Sequence, residues 1–424
     1  MKRLTVWMGE QIAGTWVVSK DNTLSFQYDE SYLANDNAIP LSRSIPLQSE
    51  IIEGPFINDF FGNLLPESEQ LQKNIKARFL SSSITAFDLL AEVGRDASGA
   101  LQILPPGEEP LNDERVLTEA ELRVLLDDVV YQRPLEALSK EERRFTLAGA
   151  QAKIPLCNHH GQWVAGGTST HILKVPMGSF GPLELDLLSS VENEYLCMKL
   201  AKALGFPVAE CSIEYVGELP VLVVTRFDRK VRNNTIVRIH QEDFCQSTNT
   251  SAPKKYERDG GPGIRTIMEV LKDSQNPEQD RKTFFMTQIL FWLLAAIDGH
   301  GKNFSIFLGK GGRFRLTPLY DIISAYPVMG SALHQIHPRK LKMAMVVQGS
   351  KRYYEWNKIQ SRHYIEMGKS LGFDPTSAMG DLAEKIPQVI EKVSGELPSH
   401  FPQGVSEPIF EGVLNQARRL KNLG

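Results

Sequence analysis

The stretch Leu290-Phe-Trp-Leu-Leu-Ala-Ala-Ile-Asp298-Gly-His-Gly-Lys-Asn303-Phe-Ser-Ile-Phe-Leu308 sets the tightest limit on how this chain can fold. Its opening residues are apolar all round, as in a buried helix, and Asp298-Gly299 ends that helix abruptly before a strand begins. Such a break presents polar side chains where a core stops. Gly309-Lys-Gly-Gly312 then turns the chain, a strand follows over residues 313–317, and Pro318-Leu-Tyr-Asp321 returns to the edge where the hairpin began. Asp321 is therefore expected beside Asn303.

A length of 424 residues exceeds what one core usually organises, so two or three lobes around a shared cleft are expected. The balance of 47 Lys+Arg against 51 Asp+Glu leaves a net charge of −4, which excludes a global pull toward nucleic acid or anionic membrane. Any DNA contact must then be local or a partner's. Cys157, Cys197, Cys211 and Cys245 form no C-x-x-C pair, so they read as buried, reduced thiols rather than a zinc or dithiol site. No apolar leader or bilayer-length segment is visible, and a cytoplasmic location is expected.

Period-two alternation predicts strands over 4–8, 15–19 and 24–28, a small antiparallel sheet. A helix is expected over 58–78 and another from Phe87 to Val93, stopped by Gly94 as a left-handed terminator. The polar connector 107–114 and a helix over 119–130 lead to a boundary near residue 135. Strands are expected over 154–157, 162–164, 171–175, 211–215 and 219–226, with a helix over 191–204 ended by Gly205. Beyond Gly263 the pattern is mainly helical, over 264–271, 281–297, 353–371, 379–393 and 413–420. The division is thus 1–135, a strand-rich lobe over 136–250, and a helical lobe over 251–424, an α+β arrangement.

Phosphoryl transfer needs a carboxylate to orient the attacking hydroxyl and hard oxygen ligands to hold magnesium against nucleotide phosphates. Asp298, Asn303 and Asp321 supply those oxygens, and protein kinases likewise set a catalytic Asp five residues before a metal-binding Asn, with a second metal-binding Asp after a hairpin. Taken singly, each is more often turn or cap chemistry. His300 and Lys302 either neutralise phosphate charge or face solvent.

The small residues of Phe145-Thr-Leu-Ala-Gly-Ala-Gln-Ala-Lys153 let backbone N–H groups approach phosphate oxygens, although neither familiar glycine-rich spacing is present. Lys174 sits in the apolar strand His171-Ile-Leu-Lys-Val, where a lysine is costly unless it meets anions. Glu194 is either its ion-pair partner or an ordinary solvent-exposed glutamate. The strand Val221-Leu-Val-Val-Thr-Arg-Phe-Asp228 turns charged at its end, as at a hinge whose backbone can pair with adenine.

The blocks Asn63-Leu-Leu-Pro-Glu67, Phe87-Asp-Leu-Leu-Ala-Glu-Val-Gly-Arg-Asp96, Ala148-Gly-Ala-Gln-Ala-Lys153, Arg226-Phe-Asp-Arg229, Gly260-Gly-Pro-Gly-Ile264, Asp298-Gly-His-Gly-Lys-Asn303 and Tyr320-Asp-Ile-Ile-Ser324 occur in this order, and over nearly its full length the chain resembles the HipA family. These are kinase toxins of type II toxin-antitoxin modules. The resemblance implies a two-lobed, protein-kinase-like (phosphoinositide-kinase-like) fold with an added N-terminal subdomain, using ATP and Mg2+. It implies Asp298 as catalytic base, Asn303 and Asp321 on the metal, and Lys174 on the phosphates. It puts the Arg226-Phe227 backbone at adenine, Asp228 and Gln241 near the nucleoside, and Ala148, Gly149, Ala150, Gln151 and Lys153 in a mobile phosphate loop, with Tyr320 among the nucleotide contacts. A helix-turn-helix antitoxin resembling HipB, operator DNA bound through it, and a translation enzyme such as glutamyl-tRNA synthetase as substrate are the implied partners. Members silence themselves by phosphorylating a serine just before the phosphate loop; here Thr146 stands there, and it is expected to take that phosphate. The competing expectations are a catalytically silent corepressor scaffold and a metal-dependent phosphohydrolase.

Overall fold

The computed structural model describes residues 1–110, 114–149, 151–232 and 235–421. Its buried apolar side chains gather into three clusters.

The first cluster lies under a five-stranded sheet in which Lys2–Met8 is flanked by Gln11–Val18 and Leu101–Leu104, with Leu24–Tyr28 and Ile52–Glu53 outside. Trp16 stacks on Phe61 with ring centroids 4.1 Å apart, so the helix Phe56–Gly62 is pinned to the sheet. One helix over 58–78 does not form. Pro66 forbids its continuation, and the chain restarts as Glu69–Phe79 with the Ser68 side chain accepting from Leu71 N. Gly94 ends Ala86–Val93 with φ −77, not in the left-handed region. Its glycine is required by packing instead, because a Cβ there would meet Leu90 O and Ile103 O at 2.6 Å.

A six-stranded antiparallel sheet forms the second unit, in the order Cys211–Val216, Leu219–Thr225, His171–Lys174, Lys153–His159, Gln162–Ala165, Arg115–Val116. The helix Glu119–Val130, started by a Thr118/Glu121 capping box, buries Leu122, Leu125 and Leu126 against Ile154, Leu156 and Leu173. Residues 115–138 therefore lie with the second sheet, not with the first cluster, whose last member is Ile103. The helix Ser190–Ala203 belongs to the third cluster, and Gly205 beyond its end adopts φ +93. Asp96 from the first unit meets Arg226, Arg229 and Arg238 of the second, while Asp228 accepts from Gly99 N at 2.7 Å, so a buried charge cluster fastens the two together.

The third unit packs around Pro277–Leu293, whose aromatic and aliphatic side chains are buried on every face. Thr376–Glu396 and Gln403–Lys421 cover it. A helix over 353–371 is not seen. Arg352–Glu355 pairs with Lys342–Gln348 as a hairpin, Tyr353 stacks on His363 at 3.8 Å, and the helix is confined to Ser361–Ser370. Tyr353 and Tyr354 favour a strand, and cross-strand pairing overrides the helical spacing. No helix among the described residues is long and apolar enough to cross a membrane.

Candidate active site

A cavity of about 400 Å3 opens between the second sheet and the helical unit, in the size range of ligand pockets. On its floor the helix Pro277–Leu293 runs out, Ala295 turns with φ +49, and the chain exposes Asp298. Asp298 faces the cleft with 63% of its side chain accessible. The Tyr256 hydroxyl donates to its Oδ1 at 2.5 Å. Although its side chain is open to the cleft, the surrounding walls partly desolvate the Asp298 carboxylate and shift its pKa upward; the Tyr256 hydrogen bond and Lys255 oppose that shift.

The hairpin formed by Ser305–Leu308 and Phe314–Leu316 returns the chain as expected, so Asn303 Nδ2 lies 3.3 Å from Asp321 O and 3.5 Å from Asp321 Oδ2. Asp321 holds φ +59, a left-handed conformation costing a non-glycine residue about 1–3 kcal/mol. Its Oδ1 accepts from Lys174 Nζ at 2.7 Å, and Nζ also donates to Glu194 Oε1 at 2.7 Å and Oε2 at 2.9 Å. Glu194 is 2% exposed, which overturns its reading as a solvent-facing glutamate. Burial opposes the charge on Lys174, but Asp321 and Glu194 outweigh it and hold the ammonium well above the usual lysine pKa. Asp321 is correspondingly held low by Lys174 and Lys153 in spite of its own burial.

The small-residue loop closes over Lys153, whose Nζ donates to Ala148 O at 2.9 Å, and a Cβ on Gly149 would come within 2.6 Å of that nitrogen. Ala150 lies outside the described residues. Gln151 Nε2 donates to Val175 O at 2.9 Å, leaving its buried Oε1 without a partner. Thr146 is 1% exposed and donates through Oγ1 to Leu64 O at 2.7 Å, so its hydroxyl is inaccessible while the loop is closed.

At the hinge, Arg226 N donates to Thr170 O at 2.9 Å and the guanidinium turns to Asp228, Ser169 and Ala97 O, so only the Arg226 backbone is placed toward the cleft. The Asp228 carboxylate is consumed by Gly99 N, Arg226, Arg229 and Gln241 Nε2, which leaves it a fastening group at the cleft margin. Gln241 Oε1 is buried and unpaired. Phe227 packs edge-on to Phe307 at 5.6 Å and tilted to Tyr320 at 5.8 Å; the Tyr320 hydroxyl is bound to Lys302 O and Ser305 Oγ, so these rings form a wall.

Two expectations at the turn are corrected. Lys302 is buried, and its Nζ donates to Asn63 O and Asn63 Oδ1 at 2.9 Å and to Asp243 Oδ2 at 2.7 Å, so all three N–H groups are spent on protein and none is left for phosphate or water. His300 is also buried. Burial and nearby Lys255 push its pKa down to about 3, which favours the neutral ring over the charged, solvent-facing one. Its Nδ1 has no partner.

Asn63, Glu67, Lys255 and Tyr256 also line the cavity and were not among the expected site residues. Glu67 forms an ion pair with Lys255 across a sequence separation of 188. Only their place in or beside the blocks Asn63–Glu67 and Gly260–Ile264 hinted at a role.

Among the described residues, no three His, Cys, Asp or Glu side chains assemble into a metal cage. One carboxylate, one amide oxygen and adjoining space instead suit a cation that completes its shell with phosphate oxygens, as magnesium does.

Residues 145–400 match the family model of the HipA-like C-terminal domain, and residues 4–104 that of the HipA N-terminal domain. The Sinorhizobium fredii protein Y4mE is 36% identical over 338 residues, covering 76% of this chain and 78% of that one. The serine/threonine-protein kinase toxin HipA of Shewanella oneidensis is 29% identical over 403 residues, 89% of this chain and 86% of that one. A solved Shewanella oneidensis HipA, in complex with HipB and operator DNA, superposes with a TM-score of 0.80 at 24% identity and 99% coverage of both chains, which shows a common fold.

Proposed function

The chain belongs to the HipA family and is a kinase, and from that premise we propose that it transfers the terminal phosphoryl group of ATP, taken up with Mg2+, to a serine or threonine of a protein. The observation that carries this reading is the single constellation Asp298, Asn303, Asp321, Lys174 and Glu194 around one cleft.

Asn303 and Asp321 would hold the metal, which when bound neutralises phosphate charge and screens it from the attacking oxygen. Lys174, fixed by Glu194 as kinases fix theirs, keeps a permanent positive charge beside the cleft and would turn the N–H it gives Asp321 to phosphate oxygen once the metal takes that carboxylate. Backbone groups of the loop at 148–153 cradle them, and the unpaired Gln151 Oε1 and Gln241 Oε1 await donors from the nucleotide or its water. The Arg226-Phe227 backbone and the ring of Tyr320 receive the base. Asp298 accepts a hydrogen bond from the acceptor hydroxyl and takes its proton as the new O–P bond forms and the bond to the leaving diphosphate breaks. Its open position in the cleft leaves room for that hydroxyl.

The substrate is proposed to be a translation enzyme of the glutamyl-tRNA synthetase kind, with growth arrest as the outcome. Thr146 is proposed as the site of self-phosphorylation. Because its hydroxyl is enclosed against Leu64, the loop must leave its seat first, and a phosphate there would keep it out. A HipB-like antitoxin is proposed to bind this chain in the cytoplasm and to carry it to operator DNA, as the Shewanella oneidensis relative stands in complex with HipB and operator DNA. With radiolabelled ATP and Mg2+, the wild-type chain is expected to label protein on serine or threonine while Asp298→Asn does not. Equal labelling by both, or none by either, refutes the reading, and the second result favours a silent corepressor.

A further inference from the structure

One turn of the N-terminal unit touches both sides of the cleft. Leu64 O accepts the Thr146 hydroxyl at 2.7 Å, Pro66 bridges to Gly149, and Glu67 N donates to Gly149 O at 3.2 Å, so residues 64–67 hold the phosphate loop. The same Glu67 pairs through its carboxylate with Lys255. Lys255 O accepts from Gly301 N of the catalytic turn at 3.2 Å, and the next residue, Tyr256, gives its hydroxyl to Asp298 Oδ1 at 2.5 Å. The Tyr256 ring is clamped by the Lys255 ammonium at 5.2 Å, Arg258 at 5.1 Å and the edge of His300 at 5.1 Å, and its carbonyl accepts from Asp259 N and Gly261 N. A phenol held from so many directions fixes the carboxylate it touches.

We infer that the turn 64–67 is a relay that makes the orientation of Asp298, set by Tyr256 as a positioning residue, depend on closure of the phosphate loop. This rests on the reading of Asp298 as catalytic base. Free rotation of an exposed carboxylate is a disadvantage for a base that must meet one hydroxyl in one geometry. With Oδ1 fixed, Oδ2 is the oxygen left to the substrate. Opening of the loop at Thr146 would slacken the base as well as dismantle the phosphate seat.

The test measures kcat and KM for ATP in the full chain. Tyr256→Phe is expected to lower kcat about 10- to 150-fold, the loss corresponding to a hydrogen bond to a charged group, with KM for ATP unchanged within about twofold. Glu67→Gln is expected to lower kcat about threefold to tenfold by the same route. The combined variant should be no slower than Tyr256→Phe alone, because both changes cut one connection. Exchanging the charges, Glu67→Lys with Lys255→Glu, should recover most of the Glu67→Gln loss. Effects that multiply, a kcat of Tyr256→Phe within twofold of wild type, or a change confined to KM overturns the relay. Asp298→Asn assayed beside them separates the two failures: full activity there overturns the underlying base assignment, whereas its inactivity beside an active Tyr256→Phe overturns the relay alone.

Discussion

Lys302→Met distinguishes a structural lysine from a phosphate ligand. The wild-type ammonium is buried with three protein acceptors, Asn63 O, Asn63 Oδ1 and Asp243 Oδ2. Methionine keeps the apolar stem but strands the Asp243 carboxylate among Cys245, Phe244 and the Asn63 turn, and removing one member of a buried pair costs about 3–5 kcal/mol. Replacing Asp243 with asparagine as well should regain at least half of that loss, since a neutral amide tolerates burial and can still cap Phe244–Ser247 as Asp243 Oδ1 does by accepting from Gln246 N at 2.9 Å. Urea unfolding followed by fluorescence of Trp292 and Trp356, both buried in this unit, reads the order: wild type most stable, Lys302→Met least, the double variant between. Binding of a non-hydrolysable ATP analogue to folded Lys302→Met should stay within about twofold of wild type. A single variant with wild-type stability and weakened nucleotide binding would refute the assignment, because Lys302 would then be spending its charge on phosphates.

Three further outcomes follow from the same geometry. Lys174→Met should abolish detectable phosphoryl transfer and raise the pKa of Asp321, which Lys174 holds low, as read by phosphate release and by NMR titration of labelled aspartate. Thr146→Ala should remain active through incubations in which the wild type loses activity, and peptide mass spectrometry should find no phosphate between Phe145 and Lys153. Burial pushes Glu242 up to about 8, above its unfolded value, so the folded state holds a proton there that the unfolded state releases. Its stabilising contribution is complete below the unfolded pKa and declines by roughly 1.4 kcal/mol per pH unit until the pH passes its folded value. Glu242→Gln should therefore flatten the stability profile over that window, as pH-dependent urea midpoints would reveal.

The hairpin between Asn303 and Asp321 was legible because local chemistry dictates it: an apolar helix, an Asp-Gly break and a glycine turn leave Asp321 nowhere to go but back beside Asn303. The strands Leu24–Tyr28 and Leu219–Thr225 and the helix Glu119–Val130 were legible for the same reason, since pattern, caps and packing agree. The helix expected over 58–78 failed because Pro66 outweighs the amphipathic spacing on either side. Tyr353 shows the opposite limit, where its strand partner Val347, six residues earlier, decides the conformation. Lys302 and His300 looked like charges in a phosphate site because their acceptors and burial come from Asn63 and Tyr256, long-range neighbours that no local pattern names. Tyr256 itself escaped for that reason.

Magnesium dependence of nucleotide affinity probes the heart of the account. Calorimetric titration of a non-hydrolysable ATP analogue should give a Kd at least about tenfold tighter with Mg2+ than without it in the wild type, and that difference should collapse in Asp321→Asn and in Asn303→Ala. A metal effect that survives both substitutions would place the cation elsewhere and contradict the assignment of this cleft.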